Sequence, residues 1–297
     1  MREMKITLIA AILFFANPSQ GATPPVAVAI NSPLTFDLPI EYNRDVKGWI
    51  KHFQGPGRSV FSNWLRRSHR YMPQIQQTLQ AVGLPKDLAY IVMIESGFST
   101  SAVSHADAVG PWQFIEETGE RYGLKVSWWL DERRDMDKST KAAAKYLRYL
   151  HKLFGSWYLA AAGYNTGENR IRRLIDKHGT KNFWTIARAG SFHNETKEYI
   201  PKLIAAMLIA KAPSLYGFRD IKPMKPLEFE HFRVPGGTHL HVIADQLNVS
   251  RDLVREMNPE LLKGFIPSTT GSHLIRIPKG TSRKLSELVR ARLVSTN

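Results

Sequence analysis

The chain has 297 residues, no cysteine and a formal charge of +15. That length holds one or two domains with a real core, and the lack of cysteine excludes disulfides and a lipid-modified N-terminal cysteine. A hydrophobic content of 43% with 23% charged residues is ordinary for a soluble globular chain, and the positive excess favours an anionic partner.

In chain order, residues 1–21 read as a secretory signal. Arg2 and Lys5 form a basic start, Ile6 to Ala16 an apolar run, and Ser19-Gln-Gly21 a small-residue cleavage site. The apolar run is too short to span a bilayer, so no stable membrane span is expected after cleavage, and a periplasmic or secreted location follows. A secreted protein is a poor nucleic-acid partner, and no compact run of Lys/Arg interleaved with aromatics appears. Residues 22–43 carry Pro24, Pro25, Pro33 and Pro39 and read as an extended lead-in.

Residues 44–82 read as helical, broken at Gly55-Pro-Gly57. A helix carrying Glu95 follows, then a turn-rich connector at 118–124. Acidic residues at 131–137 precede a strong helix at 141–154, with Ala142, Ala143, Tyr146, Leu147 and Leu150 on one face. Shorter helices are predicted at 157–162, 169–175 and 183–189, and a longer one at 199–211. The texture changes near Leu215. Residues 216–228 read as a Pro/Lys linker, and 229–278 as strand, helix, helix, strand. A basic tail occupies 281–297. The expected fold class is mainly α at 44–215, followed by a small α+β (βααβ) unit at 229–280.

Glu95 is the residue that breaks its local pattern. Leu88, Ile91 and Val92 recur at helical spacing, and Glu95 lies seven, four and three residues after them. It therefore occupies the apolar stripe, where a leucine would serve packing. A carboxyl facing a core is desolvated and its pKa rises, which suits a general acid. A glutamate swinging out to solvent or meeting an arginine is the plain alternative.

Three further patterns bear on the choice. Ser104, Ala108, Gly110 and Gln113 form S-x-x-x-A-x-G-x-x-Q. Ala162, Tyr164, Asn165 and Gly167 form A-x-Y-N-x-G, and Glu195, Thr196 and Tyr199 form E-T-x-x-Y. With Glu95-Ser-Gly-Phe98 ahead of them, in this order and spacing, the region from about Trp49 to Ala206 resembles the family 1 lytic transglycosylases of the membrane-bound D type. These enzymes have a lysozyme-like fold and cleave peptidoglycan. Val234-Pro-Gly-Gly-Thr-His-Leu240, with Asn258 and Ile277-Pro278, resembles a LysM module, a small peptidoglycan-binding domain. It departs from that pattern at Gly237, where Asp is usual, and in the long loop 259–272.

The resemblance implies that Glu95 is the catalytic acid and base. It would protonate the oxygen joining N-acetylmuramic acid to N-acetylglucosamine in glycan strands. It would then activate the muramoyl C6 hydroxyl, leaving a 1,6-anhydro product. The resemblance places Ser104, Trp112, Gln113, Tyr164, Asn165 and Tyr199 around the substrate, with Ser104 on the N-acetyl group and Tyr199 holding the catalytic carboxyl. No metal, no cofactor and a monomer are expected. Two other readings stay open. One is a lysozyme-type hydrolase using Glu95 and Asp107, the first acidic residue after it. The other is an inactive wall-binding protein.

Overall fold

The computed structural model describes residues 4–5 and 34–287. The signal apart from Met4 and Lys5, most of the lead-in, and the tail beyond 287 lie outside the described residues. Two separate apolar cores divide the rest, one helical and one built on a two-stranded sheet.

In the first unit, α1 (Arg44–Gln54) is capped by the Asn43 side chain, which accepts from the amides of Asp45 and Val46. The break at Gly55-Pro-Gly57 leads into α2 (Arg58–Ala81). A 3-10 turn, Lys86–Ala89, feeds α3 (Tyr90–Ser96), the helix of Glu95. The connector then holds a short helix, α4 (Glu116–Arg121), which the turn-rich sequence did not predict. α5 (Met136–Phe154) begins five residues earlier than its apolar face suggests. Asp135 caps it by accepting from the Lys138 amide, so the start is set by a side-chain cap rather than by periodicity. α6 (Trp157–Thr166), α7 (Glu168–His178) and α8 (Phe183–Arg188) follow. α9 (Asn194–Lys211) starts before Tyr199 and runs through Pro201, so the whole E-T-x-x-Y pattern is helical. α3 and α9 are nearly buried and pack against each other at the centre of the unit.

The lead-in is tied down where it enters the fold. Thr35–Phe36 (β2) pairs antiparallel with Met4–Lys5 (β1). Phe36 and Leu38 are buried, the Asp37 amide donates to the Asp87 carboxylate, the Lys86 amide donates to the Asp37 carboxylate, and Lys211 pairs with Asp87.

The second unit has the expected order. β3 (Phe229–Pro235) pairs antiparallel with β4 (Ser272–Pro278) in the register Phe232↔Ile275, and α10 (Leu240–Leu247) and α11 (Arg251–Met257) pack on that ladder. Asn258 is fully buried and spans the unit, donating to the Val254 and Arg276 carbonyls and accepting from the Arg276 amide.

The Pro/Lys linker does not hang free. The Met224 amide donates to the Arg66 carbonyl, and Arg70 donates to the Lys225 carbonyl. Leu130, from the first unit, packs into the second unit's core, and Arg276 of β4 pairs with Asp135 at the start of α5. The two units are one docked body.

Candidate active site

Glu95 sits in the last turn of α3. The next turn is closed by Gly97 at φ +57°, and a Cβ there would lie 2.0 Å from Trp64 Cδ1. Glycine is required twice, by the left-handed backbone and by the indole. This closure aims the Glu95 side chain off the end of the helix, half-buried, toward α9.

α9 answers with one face. Glu195, Tyr199 and Lys202 follow at spacings of four and three, so they stack on one side of the helix. The Tyr199 hydroxyl donates to Glu95 Oε1 at 2.5 Å. Lys202 Nζ donates to the Ile94 carbonyl at 3.0 Å and lies 5.7 Å from the ring centroids of both Trp49 and Trp64. Burial raises the Glu95 pKa to about 7. The Tyr199 hydrogen bond and the Lys202 charge pull it down, and the Glu195 charge pushes it up. Burial, together with Glu95 nearby, keeps the Tyr199 phenol well above its usual pKa and therefore a donor. Burial lowers the Lys202 pKa, with Glu95 and Glu195 opposing that change.

α6 forms the adjoining wall. Tyr164 donates to the Trp112 carbonyl at 2.7 Å, and its phenol is also raised by burial and by the Glu95 charge. Asn165 donates to Glu195 Oε1 at 3.1 Å and accepts from Thr196 at 3.0 Å. The α6–α9 seam thus carries both the Tyr-Asn pair and the E-T-x-x-Y pattern.

The turn from Ala102 to Phe114 supplies the remaining sequence candidates. Ser104 Oγ accepts from the amides of Ala106 and Ala108, so it organises the turn from within. Gln113, at φ +50°, donates its amide to the Gly110 carbonyl at 2.8 Å. Trp112, which the resemblance places around the substrate, lies beneath the turn instead. Its side chain is fully buried and donates to Thr140 at 2.9 Å, so it supports the turn from beneath. Asp107 is exposed, at φ +57°. The charges that act on Glu95 are Lys202 and Glu195, and Asp107 is not among them. Glu195 is therefore the acidic neighbour that sequence proximity to Glu95 missed. Lys202, Trp49 and Trp64 were missed as well. The i, i+3 step from Tyr199 to Lys202 was the signal available for one of them.

Among the described residues no group of three or more His, Cys, Asp or Glu is placed to hold a metal ion.

Residues 73–187, which carry Glu95, the turn and the Tyr-Asn pair, match the family model "Transglycosylase SLT domain". Residues 228–291 match a second family model, "Lytic transglycosylase MltD, LysM-like domain". The chain thus carries a region that matches the SLT model followed by one that matches the LysM-like model. It is 30% identical over 226 residues to the membrane-bound lytic murein transglycosylase D of Escherichia coli K12, covering 74% of this chain and 49% of that protein. It is 25% identical over 135 residues to the membrane-bound lytic murein transglycosylase C of Sodalis glossinidius, covering 41% of this chain and 38% of that one. The chain spans half or less of the length of these relatives. Among solved structures, the 70 kDa soluble lytic transglycosylase of Escherichia coli aligns at 18% identity with a TM-score of 0.42, over 48% of this chain and 24% of that one.

Proposed function

We propose that the chain is a peptidoglycan lytic transglycosylase in which Glu95 serves first as general acid and then as general base. The observation that carries this reading is the Glu95 carboxyl, half-buried at the end of α3, raised to about 7 and held by the Tyr199 hydroxyl. At neutral pH such a group is available in both protonation states, as a residue that gives a proton and takes one back must be.

The steps balance without an outside nucleophile. Protonated Glu95 donates to the glycosidic oxygen, and the bond from that oxygen to muramoyl C1 breaks. The carboxylate left behind faces Tyr199 and Lys202, which favour its charge. It accepts the proton of the C6 hydroxyl, and O6 closes on C1 to give the 1,6-anhydro ring. Ser104, Gln113, Tyr164 and Asn165 are the proposed substrate contacts. The LysM-like module would hold the enzyme on the glycan. The basic surface suits the carboxylates of stem peptides, and an extracytoplasmic location follows from a wall substrate. Among the described residues no helix is long and apolar enough to cross a membrane.

The test is digestion of purified sacculi followed by mass spectrometry of the muropeptides. The expected result is 1,6-anhydromuramoyl ends, absent with Glu95→Gln. Reducing-end muramic acid in their place would make the enzyme a hydrolase.

A further inference from the structure

The segment 129–135 belongs to both units. On one side it underlies the turn that carries Ser104 and Gln113. The Arg133 carbonyl comes so close to Gly110 that a Cβ there would lie 1.9 Å from it. The Arg133 guanidinium is buried. Its Nε and Nη2 each reach the Asp131 carboxylate at 2.9 Å, and Nη1 donates to the Asp107 carbonyl at 3.4 Å and the Phe114 carbonyl at 3.3 Å. One cation therefore fastens the tip and the exit of the turn, whose arms meet at the isolated pairs Val103↔Val109 and Val109↔Phe114.

On its other side the same segment is held by the C-terminal module. Leu130 pairs with Leu261, the Asp131 amide donates to the Glu260 carbonyl at 2.8 Å, and the Leu262 amide donates to the Trp129 carbonyl at 2.9 Å. At the end of the segment, Arg276 of β4 joins Asp135 at 2.5 Å and Glu260 at 3.2 Å, all three buried. A buried ion pair of this kind fixes geometry, because losing either member strands the other's charge.

We propose that the LysM-like module is a positioning element for the substrate turn: docked on 129–135 it fixes Arg133, and Arg133 fixes the turn. This rests on the transglycosylase reading for what the turn does. It goes beyond that reading in assigning the module a role in cleavage as well as in holding the wall. The consequence concerns substrates too short to touch the module, whose binding still depends on it. Glu95, Tyr199 and Lys202 lie on α3 and α9, and among the described residues no hydrogen bond or ion pair joins them to 129–135. The brace therefore acts on substrate affinity and leaves the ionisation of the acid alone.

Two measurements decide it. The first needs no activity: native-state hydrogen exchange of the intact wild-type chain in rising denaturant. The amides of Ser104, Gly110 and Phe114, which bond within the turn, are expected to open together with the β3–β4 ladder. If the ladder opens while the turn stays protected, or the turn opens before the ladder, the brace does not exist. The second uses the full chain with Arg133→Lys and with Arg276→Gln, assayed on a soluble glycan tetrasaccharide. Both substitutions are expected to raise KM by more than about fivefold, with a smaller change in kcat and an unmoved pH midpoint. A KM within about fivefold of wild type for either one overturns the proposal. Should Arg276→Gln fail to fold, exchange on the wild type still decides. Should no cleavage of any glycan be found, the transglycosylase reading fails while the exchange result stands.

Discussion

The Tyr199 hydroxyl donates to Glu95 Oε1 at 2.5 Å, joining the end of α3 to the middle of α9. The bond favours the carboxylate over the acid, against a burial that favours the acid. The contest sets the Glu95 pKa at about 7 rather than the ordinary 4.5. A conventional core would put a leucine here and gain packing.

Glu95→Gln is expected to abolish cleavage and to stabilise the fold. Loss of the acid and base functions costs at least ~10²–10⁴-fold in rate. The stability sign follows from linkage. The folded pKa lies above the unfolded one, so the native state takes up a proton between about 4.5 and 7, and stability falls as pH rises through that window. At pH 8 the native carboxylate is the unfavourable species, and its removal should gain ~1–2 kcal/mol after allowing for its contact with solvent. At pH 4 both states are protonated and the gain should vanish. Thermal melts of both proteins at the two pH values check this. A Glu95→Gln variant less stable than wild type at pH 8 would mean that the carboxylate is not strained.

Tyr199→Phe isolates the hydroxyl. The ring keeps its buried place, but the carboxylate loses a donor, so the Glu95 pKa should rise. The alkaline limb of kcat/KM should then move to higher pH, while kcat at neutral pH drops about tenfold because the carboxyl is no longer held. A pH profile superimposable on that of wild type would remove Tyr199 from the acid's environment.

How far this was legible in the sequence differs element by element. Glu95 stood out because a helix stripe has a period, and a charged residue in it is a visible misfit. The βααβ unit was legible for the same reason. The turn 102–114 has no period to count from, and it winds through left-handed residues at Asp107, Gly110 and Gln113. Nothing in the sequence therefore told which side of it faced the core, and Trp112, placed around the substrate by the resemblance, packs inward. Lys202 lies outside the sequence motifs, although its i, i+3 spacing from Tyr199 puts it on the same face of α9 toward Glu95. The Pro/Lys segment predicted a loose linker by composition. Its backbone partners, the Arg66 carbonyl and the Arg70 side chain, lie more than 150 residues away and leave no local trace.

Gly97→Ala should be among the more damaging single substitutions near the site. The left-handed backbone alone costs an alanine roughly 1–2 kcal/mol, and the new Cβ would lie 2.0 Å from Trp64, which must then leave the cage around Lys202. Gly83→Ala is the control. Its φ is +72°, but nothing lies within 4 Å of the added carbon, so only the backbone cost applies. Melting temperatures and specific activities of the two variants separate the effects. Gly97→Ala should lose several degrees more than Gly83→Ala and most of its activity. Equal losses would show that the Trp64 contact is immaterial.

The last prediction separates transglycosylase from hydrolase by two acidic residues. Asp107 sits in the substrate turn, exposed, at φ +57°, a conformation that asparagine tolerates well. Asp107→Asn should therefore fold normally, keep the anhydro product and cost less than about 1.4 kcal/mol in barrier, a factor of ten. Glu195 is the acid whose charge reaches Glu95, and it is already engaged by Asn165. Glu195→Gln can keep that hydrogen bond while losing the charge. Since the Glu195 charge raises the Glu95 pKa, its loss should lower that pKa and move the alkaline limb of the rate profile to lower pH. The product should remain the anhydro sugar. A hydrolase needs one of these carboxylates to activate water, and losing it would be nearly as severe as losing Glu95. Rates, pH profiles and product masses for the three variants, Glu95→Gln, Asp107→Asn and Glu195→Gln, therefore decide the reaction. If wild type releases reducing-end muramic acid and either acidic neighbour falls as far as Glu95→Gln, that neighbour is the base of a hydrolase and the intramolecular ring closure does not occur.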